Sequence, residues 1–211
     1  MSQPDPYINS ARKYDKYVDP FNKVLRKIAL KMTAELKSRH LLEVGCGTGS
    51  NLHLFAQKGW HVSGVDLSPA MLEEAKTKLG EHAALLLGDA ATLPYNSDTF
   101  DLALAMLTLH EMPHATRLKV LAEMHRIVKK GGHILLIDFH PGPFVFLKGW
   151  YYRAVIFFFE RVAGGEHYKN FRDFMRRKGL PALISTAQLA VVEEKIVGGG
   201  NIGFHLLCVN K

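Results

Sequence analysis

Leu41-Leu42-Glu43-Val44-Gly45-Cys46-Gly47-Thr48-Gly49-Ser50 joins an apolar run to a trio of alternate glycines. Its first four residues read as a buried strand that ends at Gly45. Glycines at alternate positions then let the backbone turn sharply, and a helix pattern opens at Ser50 and runs to about Lys58. A strand, a glycine turn and a helix in succession form the opening unit of an α/β sheet whose strands pair in parallel.

Working outward toward the C-terminus, the same alternation continues. Trp60–Val65 reads as a second strand ending at Asp66. Ser68-Pro69 opens the next helix as N-cap and first helical residue, and Gly80 stops it after Leu79. Ala84–Leu87 is a third strand, and Phe100–Met106 a fourth, almost wholly apolar and therefore covered on both faces. A helix is expected over Ala115–Lys130, closed by Gly131-Gly132, before a fifth strand over His133–Asp138. Strands alternating with helices imply right-handed crossovers and a doubly wound, mostly parallel sheet. Ala190–Ile196 and Ile202–Val209 are strand-like and joined through Gly198-Gly199-Gly200, too short a link for anything but an antiparallel hairpin. The expected architecture is a Rossmann-like sheet of seven strands with that hairpin at its C-terminal end.

At 211 residues the chain fits one sizeable domain over 1–211. It divides into a helical cap over 1–40, a core over 41–140, an aromatic and basic insertion over 141–180 after the fifth strand, and the hairpin over 181–211. The apolar share of 47% and the charged share of 22% exclude a disordered chain and a coiled coil. No apolar run is long enough to span a membrane, the polar start does not read as a secretory signal, and two cysteines, Cys46 and Cys208, are too few for a disulfide framework. A cytoplasmic setting is expected. The net charge of +7 is uneven: residues 1–40 hold nine Lys/Arg against four Asp/Glu, 141–180 eight against three, and 41–140 eight against eleven. Basic flanks suit acidic partners, whether nucleic acid, an anionic lipid surface or a charged small molecule.

The glycine loop brings backbone and a helix N-terminus close to a ligand at the carboxyl end of the first strand, where the strand order switches. Its spacing is GxGxG rather than the GxGxxG of dinucleotide folds, and no Lys-Ser/Thr follows, which excludes a P-loop. Glu43, two residues before the first glycine, would repel a pyrophosphate and suits a ligand with a cationic group. Asp66 ends the second strand 21 residues after Gly45, placed to accept hydrogen bonds from two ribose hydroxyls; Gly88-Asp89-Ala90 ends the third.

With these residues the sequence resembles the class I S-adenosylmethionine-dependent methyltransferases. LLEVGCGTGS matches their glycine-rich motif, GVDLSPAML their ribose-binding motif, GDAATLPYNSDTFDLALAMLTLHEMP the run through the fourth strand, and VKKGGHILLIDF the fifth-strand motif. The branch most similar is that of the ubiquinone and menaquinone methyltransferases. The resemblance implies S-adenosylmethionine as cofactor, with Gly45, Gly47 and Gly49 near its methionine part, together with Glu43 and Cys46 of the same loop. It further implies Asp66 on the ribose, Leu67 and Met71 on the adenine, Asp89 and Ala90 at the adenine edge, and Met106 and Leu107 beside the sulfonium. Tyr14 and Tyr17 fall where the family places a helix that closes over the cofactor.

His110-Glu111-Met112-Pro113-His114 satisfies the H-E-x-x-H pattern of zinc proteases. That pattern needs both histidines on one unbroken helix, and Pro113 breaks it, so no metal is expected. His110 is instead the candidate catalytic residue, a general base if the acceptor must lose a proton. In the insertion, Leu147, Trp150, Tyr151, Ala154, Phe157 and Phe158 share a helical stripe with Lys148, Arg153 and Arg161 elsewhere. This reads as a surface for an anionic membrane, as a lid over an apolar substrate, or as a helix packed on the sheet edge. Gly164-Gly165 reads as a hinge before His167, and Arg172, Arg176, Arg177 and Lys178 as an anion patch or a solvated face. The expected activity is methyl transfer to a small apolar or amphiphilic acceptor, quinol-like or lipid-like. Alternatives are an RNA methyltransferase using the basic flanks, a nicotinamide-dependent oxidoreductase, and a non-catalytic binding module. Nucleic acid is disfavoured because Ala105-Met106-Leu107-Thr108 stands where N-methyltransferases of bases carry their Pro-Pro-aromatic motif.

Overall fold

A computed structural model describes residues 5, 7–8, 11–12, 19–36 and 39–211. Seven strands form one sheet in the order β3-β2-β1-β4-β5-β7-β6. The strands are β1 (His40–Val44), β2 (His61–Asp66), β3 (Ala83–Leu87), β4 (Phe100–Met106), β5 (Val128–Phe139), β6 (Ala190–Val197) and β7 (Ile202–Cys208). The first five pair in parallel; β7 runs antiparallel to both β5 and β6. The doubly wound sheet and its terminal hairpin are therefore as expected. β1 lies between β2 and β4, so the order reverses there and the carboxyl ends of β1 and β4 open a crevice.

The helices packed around the sheet are α1 (Asp19–Met32), α2 (Ser50–Ala56), α3 (Pro69–Leu79), α4 (His114–Ile127), α5 (Lys148–Val162), α6 (Gly165–Arg176) and α7 (Gly179–Thr186). Ser68 caps α3 as expected, its Oγ accepting the Met71 N–H at 3.1 Å. β4 and the second half of β5 carry the core, with Ala103, Leu104 and Ala105 paired with Ile134, Leu135 and Leu136 and all six buried.

Four elements differ from the sequence reading. α4 ends at Ile127 rather than at the glycine pair, and β5 begins at once with Val128. Gly131, at φ 75°, does not cap a helix: its N–H donates to the Val209 carbonyl at 2.9 Å. A Cβ on Gly132 would stand 2.9 Å from the Asp101 carbonyl, so the pair permits a close strand crossing. Gly164-Gly165 is the start of α6 rather than a free hinge, and α7 was not foreseen. On α5, the stripe through Leu147, Trp150, Tyr151 and Phe158 faces solvent, while Ile156 and Phe157 pack on the core.

Candidate active site

The three glycines of the loop all adopt positive φ, each for its own reason. A Cβ on Gly45 would overlap the Thr108 side chain from the end of β4. One on Gly49 would meet Leu79 Cδ1 at 2.7 Å and Ala75 Cβ at 3.1 Å, so this glycine lets α3 approach. Gly47 has no atom within 4 Å of that position and faces open space. Gly45 and Cys46 both donate their N–H groups to the Val65 carbonyl, at 2.9 and 3.1 Å, which ties the loop to the end of β2. From α3, Lys78 Nζ donates to Ser50 Oγ at 2.7 Å. Cys46 is buried, and that burial, with Glu43 and Asp66 nearby, pushes its thiol far up and keeps it inert.

Asp66 stands beside this loop. Its Oδ2 accepts the Gly47 N–H at 2.8 Å and its Oδ1 the Ser68 N–H at 2.9 Å. Burial raises its pKa against the pull of those amides, and Asp5 nearby adds to the rise. Asp5, unforeseen in the sequence, accepts from Ser68 Oγ at 2.8 Å and from the Ala70 N–H at 3.1 Å, binding the chain's start to the head of α3. Among the flanking candidates, Met71, Ala90 and Met106 are buried, whereas Leu67 is 69% exposed. Asp89 accepts the Ala91 N–H at 2.8 Å as an Asx-turn. Leu107 takes a left-handed φ of 51° while its N–H donates to Ile137 at 2.8 Å; non-glycine residues hold that conformation mainly where the surroundings enforce it. Tyr14 and Tyr17 lie outside the described residues.

Glu43 is buried at the floor of the loop. Asn51, the second residue of α2, donates to Glu43 Oε1 at 2.5 Å, while Glu43 Oε2 and Asn51 Oδ1 have no partner. Burial pushes the carboxyl up to about 8, against the pull of Asn51 and of the Arg26 guanidinium from α1. Two buried acceptor oxygens without donors are costly unless a ligand supplies the donors.

A second polar cluster lies past the end of β4. Leu109–Glu111 form a single short turn, and Pro113 separates it from α4, so His110 and His114 share no helix. His110 is buried; its Nδ1 lies 2.8 Å from Asp138 Oδ1 and its backbone N–H donates to Asp138 Oδ2 at 3.1 Å. Burial alone would lower its pKa, but Asp138, Glu160 and Glu111 overcome this and hold it up at about 9. Glu160 from α5 accepts from His167 Nε2 at 2.6 Å and stands 3.6 Å from His110 Nε2. Tyr7 OH donates to Glu111 Oε2 at 3.0 Å. Arg117, buried in α4, donates to the Leu109 and Asn170 carbonyls at 3.0 and 2.7 Å and pairs with Asp173 at 3.0 Å, clamping α6 to the 109–111 turn. Asn170 Nδ2 completes the clamp by donating to the Glu111 carbonyl at 2.7 Å. Arg172, Arg176, Arg177 and Lys178 form a solvated face.

A methyltransferase-domain family model matches residues 42–136. The demethylmenaquinone methyltransferase of Lactococcus lactis is 31% identical over 196 residues, covering 85% of this chain and 77% of that protein. This chain belongs to the class I S-adenosylmethionine-dependent methyltransferases. The phosphatidylethanolamine N-methyltransferase of Cereibacter sphaeroides is 31% identical over 141 residues, 64% of this chain and 68% of that one. In fold, the N-methyltransferase NodS from Bradyrhizobium japonicum, solved with S-adenosyl-L-homocysteine, superposes with a TM-score of 0.68 at 14% identity, over 99% of this chain and 100% of that one.

S-Adenosylmethionine is the cofactor of this methyltransferase, and the residues present fit it. The unmatched Glu43 and Asn51 oxygens are acceptors of the kind an ammonium group needs. The space before Gly47 leaves room for ligand atoms against the backbone. Asp66 sits at the rim with a carboxylate suited to vicinal hydroxyls. Sequence reasoning singled out Glu43, the glycines, Asp66 and His110, and missed Asn51, Asp138 and Glu160. Asp138 did carry a signal, since like Asp66 it comes at the end of a core strand. Glu160 is the sole acid among the aromatics of α5.

Proposed function

We propose that this methyltransferase acts on a small apolar or amphiphilic acceptor, quinol-like or lipid-like, presented at a membrane surface. The observation that carries the reading is α5. Trp150, Tyr151, Phe158 and Phe159 are each more than half exposed on it, while the same helix sends Glu160 inward to His110 and His167. Large exposed apolar surface of this kind marks a place where an apolar partner binds. Lys148 and Arg161 on the same helix complement anionic headgroups. No described helix is long and apolar enough to cross a membrane, so the contact proposed is peripheral. The curated relatives named for demethylmenaquinone and phosphatidylethanolamine support acceptors of this class.

In this reading Glu43, with Asn51, takes the cofactor's ammonium; Gly45, Cys46, Gly47 and Gly49 shape the loop against its methionine part; and Asp66 takes the ribose. Leu67, Met71, Asp89 and Ala90 surround the adenine, with Met106 and Leu107 beside the sulfonium and the N-terminal segment bearing Tyr14 as cover. When bound, the cofactor supplies an electrophilic methyl on sulfur, so the chain's task is to align an acceptor atom and exclude water. His110 is assigned to the acceptor's end of the site as a positioning residue: Asp138 fixes its Nδ1, and its Nε2 stands 3.6 Å from Glu160 and 4.0 Å from Glu111.

The test is incubation of the full chain with methyl-labelled cofactor and three acceptor sets: demethylated quinols, ethanolamine phospholipid in vesicles, and total RNA. Label in the quinol or lipid fraction supports the proposal. Label confined to RNA would replace it with the nucleic-acid reading.

A further inference from the structure

We infer that His110, Glu111 and His167 form a binding site for one divalent transition-metal ion. His110 Nε2 and Glu111 Oε1 stand 4.0 Å apart, and Glu111 Oε1 and His167 Nδ1 3.9 Å apart. One donor atom from each of the three lies within 4.8 Å of the others. A tetrahedral site with bonds of 2.0–2.1 Å has edges of about 3.4 Å, so small side-chain rotations close the trio on an ion.

The atoms that face away from this centre are each held by something else. Asp138 fixes His110 at Nδ1. The Asp138 carboxylate also receives the backbone N–H groups of His110 and Phe139, so the Nδ1 proton points at it, and a bound ion would take the place of the proton on Nε2. Glu160 fixes His167 at Nε2, 2.6 Å away, which leaves Nδ1, and the same oxygen stands 3.6 Å from His110 Nε2 at the edge of the trio. Tyr7 fixes Glu111 at Oε2, 3.0 Å away, which leaves Oε1. A carboxylate behind each ligating imidazole is the arrangement that orients histidines on metals, and two histidines with one carboxylate is a common donor set for zinc and for other first-row divalent ions. The Arg117 and Asn170 clamp holds the turn bearing two ligands against the helix bearing the third.

This trio is not the H-E-x-x-H pattern of the sequence. His167 comes from α6 and takes the place that pattern would give His114, whose buried Nδ1 has no hydrogen-bond partner. The expectation of no metal was drawn from the broken helix between His110 and His114 and did not weigh His167. The inference stands on these donors alone and not on the choice of methyl acceptor.

The test uses untagged full-length protein stripped with chelator, titrated with Zn²⁺ by calorimetry and with Co²⁺ by visible absorption. The expected result is one ion per chain with ligand-field bands of a His/carboxylate site. His167→Ala and Glu111→Gln should each weaken binding at least tenfold, and Glu160→Gln by roughly ten- to a hundredfold. His114→Ala should leave affinity unchanged. Thermal melts of the stripped variants check folding; if His167→Ala fails that check, Glu160→Gln and the Co²⁺ spectrum decide. The inference is overturned by the lack of saturable one-to-one binding in the wild type, by unchanged affinity in folded His167→Ala, or by loss of binding in His114→Ala.

Discussion

Asn51 Nδ2 donates to Glu43 Oε1 at 2.5 Å and leaves one oxygen on each residue unmatched inside the protein. The carboxyl, raised to about 8, is mostly protonated at neutral pH, and a bound ammonium favours its ionised form. Binding of S-adenosylhomocysteine at pH 7 should therefore release about one proton from Glu43, read by calorimetry in buffers of different ionisation enthalpy. Glu43→Gln should abolish the release and weaken binding. A release unchanged in that variant would remove Glu43 from the ammonium site.

The same group gives a pH dependence of stability. Its folded pKa lies above its ordinary 4.5, so the folded state holds the proton more tightly. The stability linked to it is complete below about 4.5 and is lost as pH rises toward 8. Glu43→Gln, permanently neutral, should melt higher than wild type at pH 9, by about 1–3 kcal/mol, and match it near pH 4.5. A stability difference independent of pH would contradict this.

Asp66 holds the loop through Gly47 and is the residue proposed to take the ribose. Asp66→Ala should weaken cofactor binding by roughly 1–3 kcal/mol, the cost of orphaned hydrogen bonds in a closed site. Calorimetry with S-adenosylhomocysteine checks it.

The glycines should separate by function. Gly49→Ala meets Leu79 and Ala75 as well as an unfavourable φ of 73°, and should lower stability by about 1–3 kcal/mol in thermal melts. Gly47→Ala meets no atom; it should cost only about 1–2 kcal/mol for the left-handed backbone while weakening cofactor binding disproportionately. Equal effects on both readouts for the two variants would contradict the division.

Membrane contact through α5 predicts that the chain floats with vesicles rich in phosphatidylglycerol and that Trp150→Glu with Phe158→Glu abolishes flotation. Both side chains are solvent-exposed, so the melting temperature should be unchanged. Flotation that persists in the double variant would assign the exposed aromatics to another role.

The core was legible because its signals are local. Alternating glycines after an apolar run, Ser68-Pro69 at a helix start and the wholly apolar β4 each have a local cause. The start of β5 was not legible, because Val128–Lys130 continue a helical pattern and the strand begins only through the pairing of Val128 with Phe100 of β4. Which way the α5 stripe turns was left open by the sequence for a related reason: periodicity shows that a stripe exists, not which way it faces. At the site, Glu43, Gly47 and Asp66 sit where chain position alone puts them. The cluster at His110 needed Asp138, Glu160 and His167, which the fold brings from β5, α5 and α6. No spacing in the sequence encodes that meeting.

A crystal structure of the chain grown with S-adenosylhomocysteine decides whether this crevice holds the cofactor. The account predicts the nucleoside in the crevice between β1 and β4, its ammonium on the Glu43 and Asn51 oxygens and its ribose hydroxyls on Asp66. A nucleoside bound elsewhere, or bound there with Glu43 and Asp66 untouched, would contradict it.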